Sequence, residues 1–160
     1  MKKILTLALI SCFTFPIFNF KSVNAQSSCQ ATINSVVSDI KSKGVRTVLT
    51  EERKVPEYYT ENPTNKNTEF WLTMGPYNSP NSDRRTRGII ANIMNSKVLM
   101  KTYSDKIVAS CSKYGVVSIG AEGTDWVEQY ALQPNGKTTL RTCVSPGPGV
   151  QLTWNQVGCL

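Results

Sequence analysis

The side chains available for chemistry in this sequence are carboxylates, lysines, arginines, serines, tyrosines and cysteines, because the sequence contains no histidine. Without an imidazole, a Ser–His or Cys–His nucleophile, a histidine-ligated zinc ion and the histidine acid–base step of ribonucleases are excluded. We therefore expect neither a metal ion nor a cofactor. An enzyme built from this chain would have to use carboxylates, lysine, tyrosine or serine.

Three arginines, Arg84, Arg85 and Arg87, stand at the start of a predicted helix. Cations at that end oppose the helix dipole, so stability alone gives no reason for them. An anionic partner would relieve the repulsion, and Tyr77 lies in the neighbouring proline-rich turn. We predict that these four residues bind a sulfate, a phosphate or an acidic polysaccharide. The alternative is a solvated helix end that is neutralised by Asp83 and nearby glutamates.

Three acidic residues, Glu122, Asp125 and Glu128, cluster near a turn after a predicted strand. Glycoside hydrolysis uses a pair of carboxylates, so a carboxylate-based hydrolase is one interpretation of this cluster. Acidic residues at hairpin ends usually face water instead, and the sequence has no loop of regularly spaced oxygen ligands for calcium.

Three tryptophans, Trp71, Trp126 and Trp154, could stack on sugar rings if several of them shared an exposed face. Each lies in a predicted strand, where tryptophan side chains are generally highly buried. We therefore assign all three to the core.

The N-terminus is typical of a secretory signal. Lys2 and Lys3 precede an apolar run from Ile4 to Phe18 and a polar stretch that ends in Ala25, a small residue suited to the cleavage position. The apolar run is shorter than the roughly 20 residues that a membrane span needs. We predict that the first 25 residues are removed, which leaves one secreted or periplasmic domain, residues 26–160, without a membrane span.

An alternative export route begins inside the same segment. Leu9-Ile10-Ser11-Cys12 resembles the lipobox at which bacterial lipoproteins are cut and acylated on cysteine. A lipobox normally closes the apolar region, whereas here apolar residues continue beyond Cys12. A lipoprotein anchored through Cys12 is therefore the second choice.

Signal removal changes both the charge and the cysteine count. Losing Lys2, Lys3 and Lys21 lowers the formal net charge of +7 by three, to +4, and with no basic stripe we predict no nucleic-acid binding. Four cysteines remain, an even number in a chain bound for an oxidising compartment, so we predict two disulfides. Three pairings are possible, and we prefer Cys29 with Cys111 and Cys143 with Cys159.

Hydrophobic periodicity predicts three helices, over Ser28–Lys43, from Ser82 onward, and over a stretch that contains Leu99 and Cys111. A strand from Val45 to Val55 is expected at a sheet edge, and a buried strand over Glu69–Met74.

The C-terminal third alternates apolar and polar residues, and Asn135-Gly136 predicts a tight hairpin turn in which both residues tolerate positive φ. We expect an antiparallel meander there, with strands over Val116–Ala121, Trp126–Leu132, Thr138–Val144 and Val150–Val157. The predicted fold is α+β, with three helices packed on one face of an antiparallel sheet of four to six strands that disulfides staple.

These features favour a non-enzymatic exported protein that binds or interacts with an anionic or glycan component of the cell envelope. A small secreted inhibitor of a hydrolase, either a protease or a glycosidase, is the first alternative. Its inhibitory loop would be Tyr58–Thr68 or Pro146–Gly149, both rich in loop-forming residues. The carboxylate-based hydrolase is the second alternative.

Overall fold

A computed structural model describes residues 21–57 and 59–159 of the chain. Residues 1–20 of the predicted signal segment, including Cys12, lie outside this part. Within the described residues, three helices and nine strands follow one another in the order α1 Lys21–Ser42, β1 Thr47–Lys54, β2 Tyr59–Thr60, β3 Thr68–Gly75, α2 Arg84–Asn95, α3 Lys97–Ser110, β4 Tyr114–Ala121, β5 Val127–Leu132, β6 Thr138–Leu140, β7 Thr142–Val144, β8 Leu152–Thr153 and β9 Gln156–Gly158. In this part of the chain, no helix combines the length and the apolar composition needed to cross a membrane.

Helix α1 begins at Lys21, earlier than the predicted start at Ser28, and ends just before Gly44 as expected. Gly44 has φ +105°, a left-handed conformation that favours glycine over other residues. Helix α2 begins after Asp83, whose carboxylate caps it by accepting a hydrogen bond from the backbone N–H of Thr86. Sequence periodicity thus located the helices, with errors at their first residues.

Five strands form one sheet in the order β1-β3-β4-β5-β6. Three of its four strand pairs are antiparallel, but β3 and β4 run parallel. Helices α2 and α3 lie between these two strands in sequence and supply the long crossover that a parallel pair requires. The sheet is therefore mainly antiparallel, and the expectation of a wholly antiparallel sheet is corrected at this pair.

Successive side chains of a strand point to opposite faces of the sheet. One face, the helix face, carries Phe70, Leu72, Val117 and Ile119, which pack with apolar residues of all three helices in the main core. The residues between them, such as Glu69, Trp71 and Ser118, lie on the second face. The helices cover one face, as predicted.

The C-terminal third departs from the expected meander. Strands β4, β5 and β6 are antiparallel neighbours, and the predicted hairpin joins the last two through a turn in which Gly136 has φ +77°. The expected strand Thr138–Val144 is divided at Arg141 into β6 and β7. Beyond this point the pairing is parallel, β7 with β9 and β8 with β2. These strands have only two or three residues, too few for alternation to reveal them.

Two disulfides join distant parts of the chain, in the preferred pairing. Cys29–Cys111 links α1 to the residue that follows α3, and Cys143–Cys159 links β7 to the residue that follows β9. The first therefore fastens a helix on the helix face. The second closes the C-terminal segment, which lies against the second face through Trp154 in a cluster with Val116 and Ala131.

Candidate functional site

Buried polar side chains collect on the second face of the sheet. Six polar or charged residues are buried among the described residues, and three of them, Glu69, Ser118 and Arg141, belong to one hydrogen-bonded network. The other three have local tasks, such as that of Thr86 beside the α2 cap. Because an isolated buried charge costs several kcal/mol, such a network is informative about function.

Glu69 is the carboxylate at the centre of this network. It lies in β3 on the second face, and its side chain is only 6% exposed. Its Oε1 accepts hydrogen bonds from Ser118 Oγ and, at 3.0 Å, from Gln129 Nε2. Among the residues that the structure describes, none donates a hydrogen bond to Oε2. One oxygen of this carboxylate is therefore fixed by the protein, while the other keeps its acceptor capacity.

Arg141 provides the buried cation of the network and is 5% exposed. Its Nη1 donates to Gln129 Oε1 at 3.0 Å, so Gln129 connects the guanidinium to Glu69 through its amide. Its Nε donates to the carbonyl of Trp154 at 2.9 Å, and its guanidinium stacks on the ring of Tyr59 at 3.8 Å. The arginine thus holds the C-terminal segment against the sheet and offsets the charge of Glu69.

A second arginine lies across the strand pair from Glu69. Arg53 of β1 is directly opposite Glu69 of β3, and its guanidinium lies 4.0 Å from the ring centroid of Trp71. Its Nη2 is 2.8 Å from Glu51 Oε2, and this hydrogen bond lowers the pKa of Glu51. The Nε1–H of Trp71 is buried without an acceptor among the described residues.

These residues line a cavity of about 330 Å³, which we call the Glu69 cavity. Its polar lining comes from four strands and one link: Arg53 of β1, Tyr59 of β2, Glu69 of β3, Gln129 of β5, and Arg141 between β6 and β7. Lys54 adds a third cation, and among the described residues of the lining Glu69 is the one carboxylate. The described lining thus combines three cations with one buried carboxylate.

A larger cavity of about 570 Å³ lies beside the Cys29–Cys111 disulfide, between α1 and β1. Its charged groups satisfy each other, because Glu52 accepts hydrogen bonds at 2.6 Å from both Lys113 Nζ and Tyr114 Oη. These bonds lower the pKa of Glu52. Glu52 and Lys113 are each about half exposed, at 48% and 53%, as is Arg53 of the smaller cavity, but the larger cavity has no counterpart of the buried Glu69 and Arg141 among its described lining residues. The smaller cavity is therefore the better candidate site.

Arg84, Arg85 and Arg87 are exposed in the first turn of α2, as the sequence predicted. Asp83 precedes them and is 2.5 Å from Arg46, so this carboxylate already forms an ion pair with a cation in the link between α1 and β1. None of the three arginines lines either cavity described above. Anion binding there stays a prediction.

Tyr77, the fourth residue of that predicted site, is half-buried and packs edge-on against Trp126, with 6.0 Å between ring centroids. Both rings contact the main core. Trp154 is buried as expected, whereas Trp71 is only half-buried and lines the Glu69 cavity. Assigning all three tryptophans to the core was therefore wrong for Trp71.

The acidic cluster predicted from the sequence is dispersed. Glu128 pairs with Lys97 at the start of α3, Asp125 is exposed, and Glu122 lies near Gly75 at the end of β3. Within residues 21–57 and 59–159, no hydrogen bond links the three carboxylates to one another. In the same ranges, no group of three or more acidic or cysteine residues is arranged to hold a metal ion.

Sequence reasoning missed Glu69, Gln129 and Arg141. The available signal was a charged residue inside each of two apolar strand patterns, at Glu69 beside Phe70 and Trp71 and at Arg141 within Thr138–Val144. A charge in a buried strand requires a partner, but the partner depends on strand register, which a single sequence leaves open.

Comparison with known proteins gives no match: no family model, no curated protein and no solved structure is significantly similar to this chain. A functional proposal must therefore be based on the geometry and chemistry of the site itself.

Proposed function

We propose that this chain is an exported, non-enzymatic binding protein and that the Glu69 cavity holds a small anionic or sugar-like ligand of the cell envelope. The observation that carries this proposal is the buried network of Glu69, Gln129 and Arg141 beside an open cavity. Small-molecule sites typically have volumes of about 300–1000 Å³ and a few fixed polar groups, and this cavity has both.

The lining favours binding over hydrolysis. Hydrolysis of a glycosidic bond uses two carboxylates on either side of that bond, and in the described part of the chain Glu69 is the one carboxylate that lines the cavity. Arg141 is held by a backbone carbonyl and by stacking on Tyr59, so it is fixed before a ligand arrives. Fixed polar groups reduce the entropy cost of binding, which is the property expected of a binding site.

The disulfides and the N-terminal segment support the exported part of this proposal. Two disulfides fit a chain that folds in an oxidising compartment, and the N-terminal pattern fits cleavage after Ala25. The intact mass of the natural protein tests this part. We expect a chain that starts at Gln26, whereas a diacylated Cys12 would show that the protein is a lipoprotein instead.

A protein–protein role as a hydrolase inhibitor is the second candidate, because part of the loop proposed for it is held in shape. Asn62 donates to the carbonyl of Lys66 at 3.2 Å and accepts a hydrogen bond from the backbone N–H of Thr64. Such internal bonds preorganise a loop. If the loop is inhibitory, its target protease should leave it intact, and rapid cleavage between residues 61 and 67 would argue against this role.

A thermal-shift panel tests the binding role. The mature chain and its Glu69→Gln variant would be heated with sugars, uronates, sulfate and phosphate, each in excess. A glutamine carbonyl can replace Oε1 as the acceptor of the internal hydrogen bonds, and the Tm of the variant without ligand measures the cost of removing the charge that Arg141 offsets. We expect at least one compound to raise the Tm of the wild type but not of the variant. Equal shifts in both proteins, or none in either, would contradict the proposal.

A further inference from the structure

We infer that the ligand of the Glu69 cavity is a hydroxylated carboxylic acid of about one sugar ring, the chemistry of a uronic acid. This inference rests on the proposed binding function and narrows it to one class of compound. The cavity requires three properties of its ligand: a hydrogen-bond donor, a negative charge and a small size.

The donor requirement comes from Glu69. Its Oε1 is occupied by Ser118 and Gln129, and no described residue donates to Oε2. A carboxylate oxygen binds only groups that donate a hydrogen bond, and a sugar hydroxyl is such a group. An ion such as sulfate has no donor and would be repelled by the carboxylate.

The charge requirement comes from the cations of the lining. The described lining residues include Arg53 and Lys54, and the pair that Arg53 forms with Glu51 is exposed on both sides, at 46% and 60%, so a ligand carboxylate can share this guanidinium with Glu51. The guanidinium of Arg53 has five N–H donors, and one of them donates to Glu51. The guanidinium is also held over the ring of Trp71. A guanidinium in that position can bind a ligand carboxylate through two parallel hydrogen bonds.

A third polar group fits the same ligand. The Nε1–H of Trp71 is buried in the cavity wall without an acceptor in the described part of the chain. Unsatisfied buried donors are rare in proteins, and a ligand oxygen would supply the missing acceptor. Glu69 and Trp71 are two residues apart on the same face of β3, and a uronic acid, with donors and acceptors on neighbouring carbons, suits two such partners.

The volume limits the ligand to about one ring. A cavity of about 330 Å³ is at the small end of the range for ligand sites, which suits a monosaccharide or the terminal residue of a polysaccharide. An oligosaccharide would have to extend outside it.

Calorimetric titration of the mature chain with D-glucuronate, D-glucose and sulfate tests this inference. We expect glucuronate to bind at least about tenfold more tightly than either other compound, since it alone of the three carries both hydroxyl donors and a negative charge. Glu69→Gln should weaken the binding of both glucuronate and glucose, because both ligands donate hydroxyl hydrogen bonds to Glu69. Arg53→Gln should remove the preference for glucuronate while weak glucose binding stays.

The matched control is Lys137→Gln, which removes an exposed cation outside the cavity and should change nothing. Arg85→Gln tests the α2 arginines as the rival site for glucuronate. Equal binding of glucose and glucuronate, each lost in Glu69→Gln, would overturn the acidic class but leave the binding function intact. Tighter binding of sulfate, or loss of glucuronate binding in Arg85→Gln, would overturn the inference in favour of the α2 arginines. No heat from any of the three compounds would also overturn it, and the thermal-shift panel then decides whether the binding function stands.

Discussion

On the helix face of the sheet, burial is achieved by apolar side chains from three helices, whereas on the second face it depends on hydrogen-bonded charges and one short C-terminal segment. Alternate residues of the same strand serve both faces: Leu72 is fully buried in the core, and Glu69 is buried in the charged network. Apolar packing is non-directional, but a charged network needs each partner in place. The helix face is therefore expected to set stability, and the second face to set ligand recognition.

The largest effect is expected from the disulfide on the helix side. Replacing Cys29 and Cys111 together by alanine opens a loop with a sequence separation of 82, which in the chain-entropy model lowers the free energy of unfolding by about 4.5 kcal/mol. Replacing Cys143 and Cys159, separated by 16, should cost about 3 kcal/mol. Urea denaturation of both variants measures the difference. A larger loss in the Cys143/Cys159 variant would reverse the assignment of stability to the helix face.

A single core substitution comes next. Leu72→Ala removes a fully buried side chain from the helix face and should lower the free energy of unfolding by about 3 kcal/mol, because a cavity remains. Ligand binding by the folded fraction should not change, since Leu72 points away from the Glu69 cavity. The control is Thr73→Ala on the neighbouring residue of the second face, with an expected loss below about 1 kcal/mol. Similar losses in the two variants would remove the distinction between the faces.

Replacing Arg141, the buried cation, should lower stability less than the disulfide and Leu72 substitutions do, but it should abolish ligand binding. Arg141→Met keeps most of the apolar stem but leaves Gln129 Oε1 and the Trp154 carbonyl without this donor. We expect the free energy of unfolding to fall by about 2 kcal/mol and ligand binding to be lost. Denaturation and calorimetry on the same sample measure both. Unchanged ligand binding would show that Arg141 only anchors the C-terminal segment.

The smallest expected effect is on the pH dependence of stability, through Asp83. The backbone N–H of Thr86 donates to Asp83 and holds the pKa of this carboxyl below its usual value. A carboxyl whose pKa is lower in the folded state stabilises the fold above its unfolded pKa, and this contribution is lost as pH falls through the folded value. Asp83→Asn keeps the helix cap but should flatten the stability profile below about pH 4. Parallel profiles for wild type and variant, from urea midpoints, would contradict this.

The sequence predicts those parts of the fold that depend on local pattern. The three helices follow from apolar periodicity, and the hairpin between β5 and β6 follows from Asn135-Gly136. The parallel pairing of β3 with β4 depends on where the chain returns after α2 and α3, which is a property of the whole fold. Strands of two or three residues, such as β8, carry too few side chains for a period to be recognised.

The candidate site was less predictable than the fold. Glu69 and Arg141 are far apart in sequence, and they join one network only because β3, β4 and β5 take a particular register and a C-terminal segment folds back. The arginines that the sequence singled out are contiguous and exposed, so a local pattern could find them. A cluster assembled by tertiary packing has no such local pattern.

The most direct test of the central claim is an NMR titration of the ¹⁵N-labelled mature chain with D-glucuronate, followed residue by residue. The Glu69 cavity predicts that shifted amides centre on Arg53, Trp71 and Gln129, and that Glu69→Gln abolishes these shifts. Shifts that centre instead on Arg84–Arg87, or a spectrum that does not change at millimolar glucuronate, would contradict it.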